Sequence, residues 1–141
     1  MTTIETIRDD FSLLDEWEDR YRCVIELGEA LPPFPNSERI AANKVTGCVS
    51  QVWLTTEIGN GKDPVVNFQG DSDAHIVRGL VAIVLALFSG RTASQILATD
   101  AEATLKALGL DEHLSPQRAN GLRSMIVRIK RNAEEALAPT A

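Results

Sequence analysis

The chain of 141 residues, with 44% apolar and 24% charged residues, has the composition of an ordinary soluble globular protein. Its net charge of -6 argues against nucleic acids and anionic membrane surfaces, because both bind through concentrated Lys and Arg. No run of about 18 apolar residues is present to span a membrane. Residues 1–10 lack the basic-then-apolar order of a secretion signal. We therefore expect one domain, residues 1–141, in the cytoplasm.

The first part of the chain is predicted to be helical. Residues 4–14 predict a short helix. Residues 15–31 predict a second helix more strongly, because their apolar side chains form a stripe at helical spacing. The stripe consists of Trp17, Tyr21, Val24, Ile25 and Gly28. The proline-rich residues 32–35 end this helix, and residues 37–42 are expected to form a helical turn. Cys23 lies away from the centre of the stripe, which favours a structural thiol.

A β-hairpin is predicted in the middle of the chain. Residues 48–58 alternate between apolar and polar side chains and are typical of a strand. Residues 59–64 form a turn-rich loop, and residues 65–69 read as the second strand. Since a lone hairpin is only marginally stable in water, a third strand or covering helices are required.

The segment after the hairpin is predicted to contain the most buried helix. Residues 70–74 read as an acidic helix start, in which Asp71 and Asp73 are able to cap exposed amides. Residues 74–89 are apolar nearly all round, which is typical of a central helix packed against a sheet. Gly90 closes this helix.

The C-terminal part predicts shorter helices and then a long one. Thr92 and Gln95 have capping-box spacing, and Asp100 is placed to cap a short helix that ends at Gly109. The last helix begins at residues 115–116. Its apolar stripe consists of Leu122, Met125, Ile126, Ile129, Ala133, Ala136 and Leu137. Together these elements predict an α+β fold, a small antiparallel sheet of about three strands with several helices packed mainly on one face.

Few side chains are available for metal or disulfide chemistry. The chain has two cysteines and two histidines, with no CxxC motif and no Cys/His pair at metal spacing. A four-ligand zinc site cannot be built from this set, and two cysteines in a cytosolic chain are not a disulfide framework. A disulfide between Cys23 and Cys48 has no support from spacing or motif.

Cys48 has the most informative surroundings of any candidate. It follows a glycine in the run KVTGCVSQVW, residues 44–53, at the junction of a loop and a predicted strand. Most free cysteines are small buried hydrophobes, but a thiol at such a junction is open to a partner. Lys44, Arg39 or the amides of the turn at residues 48–50 are the groups that could raise its ionised fraction.

The same run resembles the signature of SufE-type sulfur-acceptor proteins, which partner cysteine desulfurases in iron–sulfur cluster assembly. Further similar segments are WE at 17–18 with Tyr21, IELG at 25–28, LP at 31–32, GDSDA at 70–74 before GL at 79–80, and SPQR at 115–118 before GL at 121–122. The resemblance implies a SufE/IscU-like α+β fold along nearly the whole chain. The pair Ser50-Gln51 is more similar to SufE than to its paralogue CsdE.

This resemblance implies a sulfur carrier rather than a stand-alone enzyme. Cys48 would accept persulfide sulfur from a SufS-like desulfurase, stimulate that enzyme, and relay the sulfur to a SufB-like cluster scaffold. Asp73 matches a position implicated in how the cysteine loop is held or opened, and Arg118 matches one linked to docking on the desulfurase. No cofactor or metal is expected in this chain, since pyridoxal phosphate belongs to the desulfurase. We expect a monomer or a weak homodimer.

Two other classes of function stay open at this point. A non-catalytic iron–sulfur scaffold normally needs several Cys or His ligands, although a homodimer would pool two cysteines. A hydrolase would use Cys48, His75 and Asp73 as a triad, but no elbow motif accompanies the cysteine. For Asp73 and Arg118 the plainer interpretations are a helix cap and an exposed arginine at a helix start.

Overall fold

The structure is a computed structural model that describes residues 3–48 and 50–137. Within that part, seven α-helices accompany one three-stranded antiparallel sheet, which confirms the predicted α+β class. The helices are α1 Ile4–Ser12, α2 Trp17–Glu29, α3 His75–Phe88, α4 Ala93–Ala98, α5 Ala101–Ala107, α6 Leu110–His113 and α7 Pro116–Leu137. The strands are β1 Val52–Ile58, β2 Val65–Ser72 and β3 Arg91–Thr92. None of these helices is both long enough and apolar enough to cross a bilayer.

The sheet has the order β1-β2-β3, and each neighbouring pair is antiparallel. Val52 pairs with Ser72 at one end of the predicted hairpin, and Ile58 pairs with Val66 at the other. The third strand that a stable hairpin requires is the two-residue β3, which adds to the outer edge of β2.

Both hairpin strands have boundaries that differ from the prediction. The first strand begins at Val52 rather than at residue 48, because Val52 already pairs with Ser72, the last residue of β2. Residues 70–72 belong to β2, so the predicted helix start at residues 70–74 is wrong. Helix α3 begins at His75 without a side-chain cap.

Helix α3 forms the centre of the core, as its apolar sequence predicts. Eleven of its fourteen residues are buried, and α2 crosses it at very short range. A Cβ atom on Gly28 of α2 would lie 2.6 Å from the backbone nitrogen of Gly79 of α3. Glycine costs about 1 kcal/mol in a helix relative to alanine, and here it permits the two backbones to touch.

The C-terminal helices start where their caps predict. Thr92 and Gln95 form a full capping box on α4, and the Asp100 carboxylate accepts from the Ala103 amide at 3.1 Å. The short helix after Asp100 ends at Ala107, and a left-handed Gly109 leads into α6, which the sequence did not predict. Helix α7 packs against α3 and α4. The turn expected over residues 37–42 is a pair of 3-10 turns, Asn36–Glu38 and Ala41–Asn43.

Candidate functional site

Cys48 lies in the loop that leads into β1, ahead of the first strand residue, Val52. Its side chain is half-buried, and the Sγ atom donates to the carbonyl oxygen of Gly121 in α7 at 3.6 Å. The thiol is therefore held by a weak contact at a loop–strand junction and not by strand pairing.

The Cys48 side chain lines a cavity of about 360 Å³ between the loop, α3 and α7. The other lining residues are Ser50, Val77, Leu80, Ser115, Gln117, Arg118, Gly121 and Met125. A water molecule takes up about 30 Å³ in the liquid, so the cavity has room for an additional sulfur atom on the thiol.

A short backbone pairing closes the base of the cysteine loop. The Val45 amide donates to the Val52 carbonyl at 2.8 Å, and Lys44 forms an isolated antiparallel bridge with Trp53. Val45 is only 2% exposed, so the chain is anchored in the core at this point. The base is thus fixed to β1, and Cys48 lies beyond it.

Asp73 binds the other end of the loop. Its Oδ1 atom accepts from the Gln51 amide at 3.0 Å, and the Gln51 carbonyl accepts from the Ser72 hydroxyl at 2.7 Å. Asp73 does not cap α3, so the helix-cap interpretation is wrong. The contact with Gln51 is instead one through which Asp73 can hold the cysteine loop.

Asp71 also has a different role from the predicted helix cap. It is 6% exposed within β2, and its carboxylate forms ion pairs with Arg39 and with Arg78, whose Nε atom lies 2.8 Å from Oδ1. The Arg39 guanidinium also lies 5.0 Å from the centre of the Trp53 ring. Arg39 is distant in sequence and Arg78 lies in the helix that follows β2, so the local pattern around Asp71 gave no sign of either pairing.

Burial raises the pKa of the Cys48 thiol above its ordinary value, so the thiol is protonated at neutral pH in this conformation. Neither Lys44 nor Arg39 offsets that effect, and Arg39 is engaged by Asp71. The sequence also pointed to the amides of the turn at residues 48–50, of which the amide of residue 49 lies outside the described residues.

Arg118 lies on the first turn of α7 and lines the same cavity as Cys48. Its side chain is exposed, and Nη1 donates to the Tyr21 hydroxyl at 3.5 Å. The structure therefore brings Arg118 and Cys48 to one cavity, whereas Asp73 contacts the loop from its far end through Gln51.

His75 is exposed at the start of α3. Over residues 3–48 and 50–137, no hydrogen bond joins it to Cys48, and the Asp73 carboxylate bonds to Gln51 instead. The triad that a hydrolase would need is not assembled in this part of the chain.

Cys23 lies in α2, half-buried beside a cleft that it shares with Asp10 and Glu26. Burial raises the pKa of its thiol most, and the two carboxylates raise it further. Both cysteines are free thiols. Burial and the negative charge of the two carboxylates therefore both disfavour the thiolate form of Cys23.

The described residues contain no group of three or more His, Cys, Asp or Glu side chains placed to hold a metal ion. Iron–sulfur clusters are held by several cysteine or histidine ligands. A ligand set for a cluster is thus not found within this part of one chain.

Comparison with known proteins identifies similar sequences along most of the chain. The sequence model of the SufE family, described as an Fe-S metabolism associated domain, matches residues 5–133. An uncharacterised SufE-like protein from Rhizobium meliloti (strain 1021) is 62% identical over 138 residues, which cover 97% of this chain and 99% of that protein. The sulfur acceptor protein CsdE from Escherichia coli (strain K12) is 40% identical over 124 residues, covering 87% and 82% respectively.

A solved structure is also similar. The solution structure of a hypothetical protein from Thermus thermophilus matches with a TM-score of 0.74 and 20% sequence identity. The match covers 95% of each chain. At that identity the similarity concerns the fold alone, and it supports the α+β architecture described above.

Proposed function

The chain belongs to the SufE family, and we propose that it is a sulfur acceptor that carries persulfide sulfur on Cys48. The donor in this proposal is a SufS-like, pyridoxal-phosphate-dependent cysteine desulfurase, and the receiver is a SufB-like cluster scaffold. The observation that carries the proposal is the position of Cys48, on a loop beside a cavity that it shares with Arg118.

The proposed chemistry is thiol exchange. The Cys48 thiolate attacks the outer sulfur of a cysteine persulfide on the desulfurase, and a bond forms between Sγ and that sulfur. The sulfur–sulfur bond of the desulfurase breaks, and its cysteine leaves as a thiolate. One such bond is exchanged for another, so the step needs no oxidant or reductant. A second exchange passes the sulfur to a cysteine of the scaffold and releases Cys48.

The half-buried state of Cys48 fits a carrier that is inactive until it docks. A protonated thiol is a poor nucleophile and resists oxidation, and burial keeps Cys48 protonated. Because burial is the cause of the raised pKa, exposing the thiol to water brings its pKa back towards the ordinary value. Docking that draws Cys48 out of its cavity would therefore both reveal the thiol and favour its ionisation.

Arg118 is the charged residue among those that line the cavity in the described part of the chain. A guanidinium presents several donors in a fixed fork and pairs well with carboxylates. Its exposed position next to the reactive sulfur supports a docking role, in which Arg118 pairs with an acidic group of the desulfurase. The contact with Tyr21 is long, so it is readily exchanged for a partner.

Desulfurase turnover tests this proposal. With a SufS-like enzyme, pyridoxal phosphate and cysteine, the parent chain should accelerate alanine release, and Cys48→Ser should not, because serine forms no persulfide. Cys23→Ser is the matched control, since it removes the other thiol and should leave the stimulation intact. The carrier role would be wrong if Cys48→Ser stimulated the desulfurase as well as the parent chain does.

A further inference from the structure

Arg128, in the middle of α7, binds the chain segment that leads to Cys48. Its Nη2 atom donates to the carbonyl oxygen of Ala42 at 2.9 Å, and Nη1 donates to that of Lys44 at 3.3 Å. The remaining nitrogen, Nε, is buried without a hydrogen-bond partner in the described part of the chain. Because one rigid fork reaches two carbonyls of the same segment, it fixes the orientation of the segment as well as its distance.

Two further contacts place this segment along α7. Gly47 has a φ of +88°, and a Cβ atom there would lie 2.5 Å from the Ser124 hydroxyl oxygen, so the backbone passes very close to the helix. About one helical turn nearer the start of α7, the Gly121 carbonyl accepts from Cys48. The segment, residues 42–48, therefore runs along α7 towards the start of that helix.

These contacts differ in strength. The thiol of Cys48 is a weak hydrogen-bond donor, and the approach of Gly47 to Ser124 is close packing of backbone against side chain. The two bonds from Arg128 are made by an ionised donor, which makes them roughly twice as strong as neutral ones. Arg128 thus makes stronger polar contacts with residues 42–48 than the Cys48 thiol makes with Gly121.

We propose that Arg128 is a positioning residue, which keeps Cys48 docked beside its cavity by fixing residues 42–48 on α7. The inference deepens the proposed function, because it concerns the thiol which that function uses. When the guanidinium leaves the two carbonyls, the segment keeps its pairing to β1 at Lys44 and Val45, but only its weaker contacts hold residues 47–48 on the helix. Cys48 is then exposed to solvent for a larger fraction of the time.

The test is the rate of Cys48 alkylation by iodoacetamide, measured in a Cys23→Ser background so that one thiol reacts. Arg128→Ala is expected to raise the second-order rate constant of Cys48 alkylation about tenfold. The reason is that residues 42–48 lose their charge-assisted hydrogen bonds to α7. Arg128→Lys should raise it less, because an ammonium does not reproduce the two-pronged contact. Arg123→Ala is the matched control and should leave the rate unchanged, since Arg123 bonds to Asn120 within the same helix.

The second thiol separates positioning from a general loosening of the fold. In a Cys48→Ser background, Arg128→Ala should leave the alkylation rate of Cys23 at the parent value. An unchanged Cys48 rate, or an equal rise at both thiols, would overturn the proposal. Should Arg128→Ala not fold, Arg128→Lys decides in the same way, with a severalfold rise at Cys48 alone in favour and an unchanged rate against. The alkylation test uses no desulfurase, so the positioning role of Arg128 can fail while the sulfur-acceptor function stands. Equally, the sulfur-acceptor function can fail while the positioning role stands.

Discussion

The two thiols of this chain are similarly buried but lie in different surroundings. Both are half-buried, and burial raises the pKa of each. The carboxylates of Asp10 and Glu26 raise the pKa of Cys23 further, whereas the charged residue at the cavity of Cys48 is the cation Arg118. Burial alone therefore does not identify a reactive cysteine, and the charges around the sulfur are more informative.

The backbone that carries each thiol differs as well. Cys23 is part of α2, whose contact with α3 is so close that glycine is required at the crossing. Moving that thiol would disturb the core. Cys48 belongs to a loop whose base is paired to β1 at Lys44 and Val45 and whose other contacts come from side chains, chiefly Arg128 and Asp73. Local opening is much less costly for a segment of this kind than for a core helix.

The largest effect that separates the two regions should be on docking. Arg118→Ala at the Cys48 cavity is expected to weaken binding of a SufS-like desulfurase about tenfold, because exposed arginines are frequent anchors of interfaces. The measurement is titration calorimetry. Arg22→Ala, at the cleft of Cys23, is the matched control and should bind like the parent chain. An unchanged affinity for Arg118→Ala would remove this residue from the docking surface.

A smaller effect is expected from Gly47→Ala. The left-handed φ of Gly47 costs an alanine about 1–2 kcal/mol, and the new Cβ would meet the Ser124 hydroxyl. The conformation in which the cysteine loop lies on α7 is thereby disfavoured, and Cys48 should be alkylated about fivefold faster. The alkylation rate of Cys23 should stay constant. Gly61→Ala is the control, because Gly61 has a similar φ of +100° and no atom near its Cβ position. Equal acceleration by both variants would contradict a local effect on the cysteine loop.

The smallest effect is on ionisation alone. Removing the charge of Glu26 in Glu26→Gln should lower the pKa of Cys23, since a nearby carboxylate disfavours the thiolate. The rise of the Cys23 alkylation rate with pH should then occur at lower pH, and the pH dependence of the Cys48 rate should not change. Glu29→Gln, later in the same helix, serves as the control. A shift in both thiol profiles would show that the two environments are coupled.

Much of the fold could be predicted from local sequence patterns. The capping box of Thr92 and Gln95, the cap at Asp100 and the apolar run of α3 each depend on residues a few positions apart. The start of β1 could not be predicted in this way. It is set by where β2 ends, at Ser72, and alternation along one strand does not report the length of its partner.

The site was only partly predictable for the same reason. The glycine–cysteine run pointed to Cys48, but nothing near Arg128 distinguishes it from an ordinary helix arginine, since its carbonyl partners lie 84 and 86 residues away. The local pattern indicates a helix cap at Asp71, whereas its carboxylate pairs with the distant Arg39 and with Arg78 of the following helix. Contacts made by long side chains across the fold leave no periodic pattern in the sequence.

The most direct test is to find which thiol carries the sulfur when both are present. The unmodified chain is incubated with a SufS-like desulfurase, pyridoxal phosphate and cysteine, then digested without reductant and mapped by mass spectrometry. We predict one added sulfur, about 32 Da, on the peptide that contains Cys48, lost on treatment with a thiol reductant. Sulfur on the Cys23 peptide alone, or on neither peptide while the desulfurase turns over, would contradict the account.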